Sequence, residues 1–285
     1  MAGSQAALLA PTPKFCVFCT PMSPAKRDAL IAAAAGFLVI LIGIFKLWLA
    51  LGVATALILG FVLATFRALH RWIWTQADLV EAAVGVNAAV QPRAPLPPFG
   101  NSAVESDTAG FIVSLVLERR PALILECGSG LSTLLIGYAI ERCGRGRILS
   151  LDHIDQWATA TRNNVQAHGL DHVVTVIHAP LVNMVLPDGS AATWYQTAEI
   201  DKTSPIDMLI VDGPPGYADK NARFPALPMM WDRLSDGATI IVDDSDRPGE
   251  RQMVERWMKL YGKSLTMQDL NAVRGLTVLV KKSHV

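Results

Sequence analysis

Charge is scarce in this chain of 285 residues. Asp, Glu, Lys and Arg make up only 18% of it, against roughly 25% in ordinary soluble proteins. The deficit is local: between Ala29 and Phe66 the one charged residue is Lys46. Charge of a single sign is also missing, since Lys plus Arg and Asp plus Glu number 25 each. A chain without a net basic field is not built to bind nucleic acid through its phosphates. Cysteine is rare too. Four cysteines, widely scattered, exclude a disulfide framework. Cys127 and Cys143 read as buried free thiols of a reduced compartment. Cys16 and Cys19 form a lone CxxC in a Pro-rich stretch, with no second pair for a metal and no βαβ context for redox chemistry.

The uncharged run from Ala29 to Phe66 is about 57 Å long if helical. That exceeds one crossing of a bilayer core of about 30 Å. The expectation is therefore a transmembrane hairpin, with spans of about 29–46 and 48–66 joined by a turn near Lys46–Gly52. Residues 1–28 before it read as a disordered tail. Lys26 and Arg27 precede the run and Arg67 and Arg71 follow it. By the positive-inside rule both ends face the cytoplasm, which makes this an integral membrane protein with the domain that follows on the cytoplasmic side. Residues 67–100 read as an interfacial helix to Val90, carrying His70, Trp72 and Trp74, followed by a Pro-rich linker from Gln91 to Gly100.

From Asn101 to the C-terminus, short β-branched runs alternate with helical stretches. Strands are expected at Ala122–Leu125, Arg147–Leu151, His172–Ile177, Ile206–Val211 and Ala238–Val242. Helices are expected at Leu131–Arg142, Ile154–His168, Ala222–Leu234 and Glu250–Tyr261. Ser264–Gln268 and Leu276–Lys281 close the chain as a hairpin. Strands separated by helices give a parallel sheet covered on both faces. The fold class is α/β: a Rossmann-like, doubly wound, seven-stranded, mostly parallel sheet with one antiparallel strand. Residues 187–200, with Trp194 and Tyr195, read as an irregular insertion and a wall for an acceptor.

Ligands of such sheets sit beyond the carboxyl ends of the strands. After the first strand stands Glu126-Cys127-Gly128-Ser129-Gly130-Leu131-Ser132-Thr133. Its glycines let a ligand approach the backbone closely. A dinucleotide fingerprint wants a third small residue where Thr133 stands, and its pyrophosphate would be repelled by Glu126. An acid before the glycines suits a cation instead. Asp152, at the end of the second strand, is placed to accept ribose hydroxyls, and His153 to flank the adenine. Asp212, in Val211-Asp212-Gly213-Pro214-Pro215-Gly216, and Asp243, in Asp243-Asp244-Ser245-Asp246, bring carboxylates to neighbouring strand ends. Such oxygens admit Mg²⁺ or another divalent cation, with Asp212, Asp243 and Asp244 as ligands, although Asp244 and Asp246 also suit the start of the following helix.

Together these residues resemble the class I S-adenosylmethionine-dependent methyltransferases over roughly Leu96 to the C-terminus. The likeness is to the bacterial "methyltransferase domain 24" type, carried by Leu96-Pro97-Pro98, Gly128-Ser129-Gly130-Leu131-Ser132-Thr133, His168-Gly169-Leu170, Ala179-Pro180-Leu181, Trp194-Tyr195 and Val211 to Gly216. The resemblance implies S-adenosylmethionine as cofactor. It implies cofactor contacts at Glu126, Gly128, Ser129, Gly130, Ser132, Thr133, Asp152, His153, Ala179 and Asp212, and catalytic carboxylates at Asp212 and Asp243. The chain is also similar to catechol-type, metal-dependent O-methyltransferases, but Asp244 replaces that type's Asn and its base lysine has no counterpart. The implied reaction is methylation of an oxygen on a small-molecule, glycan or lipid-linked acceptor. A nicotinamide-dependent oxidoreductase and a non-catalytic membrane scaffold are the alternatives.

Overall fold

A computed structural model describes residues 23–197, 200, 204–216 and 221–283. The tail carrying Cys16 and Cys19 lies outside the described residues. By its internal contacts the chain divides into two units, residues 1–70 and 71–285.

The first helix, α1, runs Pro24–Val90, and the division between units falls within it. Pro24 opens it, where a missing N–H costs nothing, and the amides of Lys26 and Arg27 both donate to the Ser23 carbonyl. This corrects two expectations. Residues 24–28 are helical rather than part of a disordered tail, and the two-span hairpin is absent, because no turn occurs near Lys46–Gly52. The residues there explain why. Leu, Ala, Ile and Phe are adequate helix formers, no proline interrupts them, and isolated glycines such as Gly43 and Gly52 each cost only about 1 kcal/mol. The apolar part is 0% buried, with a mean hydropathy of 2.5 over its most apolar window.

The second unit begins with the C-terminal part of α1. Val86 and Val90 are buried there, and the Leu79 carbonyl accepts a hydrogen bond from the Ser106 hydroxyl of α2 (Ser106–Arg119) at 2.6 Å. Helix α1 stops where Gln91 turns to φ 50° ahead of Pro92, which disfavours helix in the residue before it. The Pro-rich segment is pinned rather than free. Arg93 donates to the His168 carbonyl at 2.8 Å and pairs with Glu141 at 2.7 Å, and its amide donates to the Tyr138 hydroxyl.

The strands β1 (Leu123–Cys127), β2 (Arg147–Asp152), β3 (Val174–His178), β6 (Ile206–Val211), β7 (Leu234–Asp243), β8 (Leu265–Leu270) and β9 (Leu276–Lys281) form one sheet in the order β3-β2-β1-β6-β7-β9-β8. Only β9 runs against its neighbours. The seven-stranded α/β expectation holds, including its single antiparallel strand. Helices α3 (Leu131–Cys143), α4 (Asp155–Ala167) and α6 (Pro248–Tyr261) connect the strands. Strands β1 and β6 are almost wholly buried apolar residues, as a sheet covered on both faces requires. Two hydrophobic clusters sandwich the sheet.

The described part of the expected irregular insertion includes a strand. Leu181–Val185 (β4) and Ala191–Tyr195 (β5) pair as a separate antiparallel hairpin. Trp194 and Tyr195 are fully buried in the core, so they do not form an open acceptor wall. The expected helix 222–234 is shorter: α5 spans Ala226–Met230, followed by a single tighter turn.

Candidate active site

Strand order brings the carboxyl ends of β2, β1, β6 and β7 side by side, and the turns after them form one constellation. Gly128 has φ +100°, a conformation that L side chains avoid. A Cβ on it would come within 3.3 Å of the Asp212 carbonyl carbon and the Gly213 nitrogen. A Cβ on Gly213 would meet the Tyr195 hydroxyl at 2.5 Å and the Gly128 Cα at 3.2 Å. The two turns thus touch through backbone alone. Gly130 faces open space, with nothing within 4 Å of where its Cβ would stand.

Asp152 organises the β2 side. Its Oδ2 accepts the Ser129 hydroxyl at 2.8 Å and the Ser129 amide at 3.3 Å, and its Oδ1 accepts the Ile154 amide at 3.0 Å. Ala179, just past β3, donates its amide to the Asp152 carbonyl at 2.7 Å. His153 stands beside Asp152, Nδ1 to Oδ1 3.7 Å, edge-on to Tyr195. Burial lowers its pKa more than Asp152 raises it, which favours the neutral ring.

Glu126 and Thr133 take a position that the sequence did not suggest. Glu126 is 0% exposed, beneath the glycine turn rather than at its mouth. Its Oε2 accepts the hydroxyls of Thr133 at 2.5 Å and Ser150 at 2.6 Å, and Thr133 in turn accepts the Gly130 amide at 3.0 Å. Ser132 is also buried. Burial raises the Glu126 pKa, against the hydroxyls of Ser132, Ser150 and Thr133. Its Oε1 has no well-formed hydrogen bond among the described residues.

Across the turn, Asp212, Asp243 and Asp244 place carboxylate oxygens within 4.8 Å of one another. Asp243 and Asp244 are buried, while Asp212 keeps 27% of its side chain exposed. Burial, then Asp243, push the Asp212 pKa well up, although its residual contact with water moderates the effect. Burial and Asp244 raise Asp243 to about 6.

Sequence reasoning missed one residue here. Arg223 is 5% exposed and reaches into this acidic group. Its Nη2 lies 3.3 Å from Asp212 Oδ1 and 3.2 Å from Asp244 Oδ2, its Nη1 donates to the Asp243 carbonyl at 3.0 Å, and its Nε donates to the Pro214 carbonyl at 3.4 Å. Its Nε also lies 3.7 Å from Glu250 Oε1. Burial opposes its charge, but Asp212, Asp244 and Glu250 together raise its pKa.

Residues 125–245 match the family described as a methyltransferase domain. That stretch carries the likeness to the family. The match spans β1 to the end of β7, and so includes every strand end that builds the constellation. The methyltransferase fold recurs in solved structures of low identity. An SAH-bound methyltransferase from Podospora anserina is 17% identical, with 71% of this chain and 88% of that one covered and a TM-score of 0.50. An O-methyltransferase from Bacillus cereus in complex with SAH is 19% identical, covering 72% and 91%, with a TM-score of 0.48. The O-methyltransferase TomG from Streptomyces achromogenes, in complex with SAM, is 18% identical, covering 72% and 89%, with a TM-score of 0.47.

Proposed function

We propose that this methyltransferase transfers the methyl group of S-adenosylmethionine to an oxygen of a small-molecule, glycan or lipid-linked acceptor at the Gly128–Asp212 junction. One observation carries the reading: an open glycine turn with the carboxylates of Asp152 and Asp212 beside it and Glu126 buried beneath it. A pyrophosphate is a poor match for a turn bordered by carboxylates, so the nicotinamide alternative is disfavoured, whereas a sulfonium and an α-amino group suit it. The space in front of Gly130 and the left-handed Gly128 give the cofactor a backbone cradle.

When bound, the cofactor supplies an electrophilic methyl carbon, whose bond to sulfur breaks as its bond to the acceptor oxygen forms. The chain's own residues do the rest. Asp152, fixed by Ser129 and Ile154, is the acceptor for the ribose hydroxyls, with His153 and Ala179 beside the adenine. Glu126 acts from below, holding Thr133 and through it the Gly130 amide, so its part is to shape the turn and to lend it negative potential. Asp212 faces the acceptor and receives its proton. A carboxylate whose pKa is raised by burial is a better base near neutral pH than an exposed one. Positioning of this kind supplies much of the rate in an in-line transfer.

The exposed apolar part of α1 supports membrane attachment. A continuous helix removes the argument that basic flanks at both ends share one side. The cytoplasmic placement of the second unit then rests on where S-adenosylmethionine is made. Attachment favours an acceptor made at or held in the membrane. Calorimetric titration with S-adenosylmethionine tests the cofactor. Comparing lipid and glycan extracts with and without the chain, for a mass difference of one methylene, tests the acceptor class.

A further inference from the structure

The Asp212–Asp243–Asp244 cluster has the hard oxygen donors that a Mg²⁺ takes, and Asp244 Oδ1 is buried with no hydrogen bond among the described residues, yet two of the cluster's other oxygens are already held by a cation. Asp212 Oδ1 and Asp244 Oδ2 both face Arg223 Nη2, and Arg247 Nη1 takes the same Asp244 oxygen at 2.8 Å. An ion on the remaining oxygens would share its carboxylates with a guanidinium that is 5% exposed, where repulsion is poorly screened. Nor can that guanidinium give way by losing its proton, because arginine stays charged in proteins.

The backbone is arranged for this pairing. Asp244 adopts φ 58°, a left-handed conformation that an aspartate adopts only at some cost. Two arginines converge on the carboxylate so placed. The other donors of Arg223 go to carbonyls on both sides of the cluster, Pro214 after β6 and Asp243 at the end of β7. The planar fork of a guanidinium suits such a fixed set of acceptors better than a lysine would.

We propose that Arg223 is the resident cation of this site: it takes the place of a divalent ion between the strand-end carboxylates and positions Asp212 toward the acceptor without a metal. The statement about the acceptor rests on the methyltransferase reading, and the statement about the ion stands without it.

The full chain, purified in detergent and stripped of metal with EDTA, is titrated with Mn²⁺ while electron paramagnetic resonance reads the free ion. The wild type is expected to leave as much Mn²⁺ free as Asp243→Asn does. Arg223→Gln, which keeps a polar amide donor but removes the charge, is expected to bind about one Mn²⁺ per chain and to lose it again when combined with Asp243→Asn. A role limited to structure would not create a metal site. Stoichiometric Mn²⁺ binding by the wild type, abolished in Asp243→Asn, would overturn the proposal. So would a folded Arg223→Gln chain that ignores Mn²⁺. If Arg223→Gln does not fold, the wild-type and Asp243→Asn titrations decide alone. Calorimetry with S-adenosylmethionine on the same wild-type sample separates the two claims: absent heat defeats the methyltransferase reading and leaves the Mn²⁺ result standing.

Discussion

The Tyr195 hydroxyl stands 2.5 Å from where a Cβ on Gly213 would lie. Tyr195 is fully buried, and its hydroxyl makes no hydrogen bond among the described residues. The β4–β5 hairpin thus reaches under the β6 turn and fixes its distance from Gly128. Gly213→Ala is expected to destabilise the chain by about 1–3 kcal/mol through overpacking. Tyr195→Phe should recover part of that loss in the double variant, because it removes the atom nearest the added methyl. Chemical denaturation of the four chains measures the coupling, and strict additivity would contradict the contact.

Asp152 accepts three hydrogen bonds from its own chain before any ligand arrives. Asp152→Ala should therefore weaken S-adenosylmethionine binding by about 100-fold, since a hydrogen bond to a charged group is worth roughly 1.5–3 kcal/mol and more than one is lost. Ser129→Ala, which removes one of the three, should cost less. Isothermal titration of both variants checks the order.

Asp243 gives a pH signature. Its pKa is about 6 when folded and about 3.9 when unfolded, so the folded state holds the proton more tightly. The stability it contributes is complete below the unfolded value and is lost as pH rises through about 6. Asp212 shifts in the same direction, so the two titrate as a pair. Between pH 4.5 and 7.5 the wild type should lose about 1–3 kcal/mol relative to Asp243→Asn, a difference that thermal unfolding of both chains reads. Equal pH slopes would count against a shifted Asp243.

Thr133 links the Gly130 amide to the Glu126 carboxylate, which Ser150 also serves. Thr133→Val keeps the shape, strands the Gly130 amide and leaves Glu126 Oε2 with the Ser150 hydroxyl alone, at a cost of about 1–3 kcal/mol. S-adenosylmethionine affinity should fall with it, since the turn loses its brace. Unchanged affinity in a destabilised chain would show that the brace serves only the fold.

The strand ends were legible in the sequence because each is marked twice, by a buried β-branched run and by a chemistry-bearing residue after it. Gly128, Asp152, Asp212 and Asp243 accordingly meet where that pattern places them. Arg223 was not legible. It lies in a stretch that reads as helix from Ala222, and its partners at Asp212, Asp244 and Glu250 come together only once β6 and β7 pair. The β4–β5 hairpin escaped notice because eight of its ten strand residues are exposed or half-exposed and its loop is mostly polar. Glu126 was placed correctly in the chain but assigned to the wrong side of the turn, since spacing does not say which way a strand-end side chain points. The continuous helix α1 defeated an argument from length alone, which did not weigh the absence of any residue able to break it.

The central claim is that the turn at Gly128–Gly130 and the carboxylates around it form a site for S-adenosylmethionine. Calorimetric titration of the full chain in detergent, with S-adenosylmethionine in one cell and NAD in another, tests it most directly. The expected result is saturable, one-to-one heat with S-adenosylmethionine that Asp152→Ala weakens by about 100-fold, and none with NAD. Heat with NAD alone, or S-adenosylmethionine binding that survives Asp152→Ala unchanged, would contradict it.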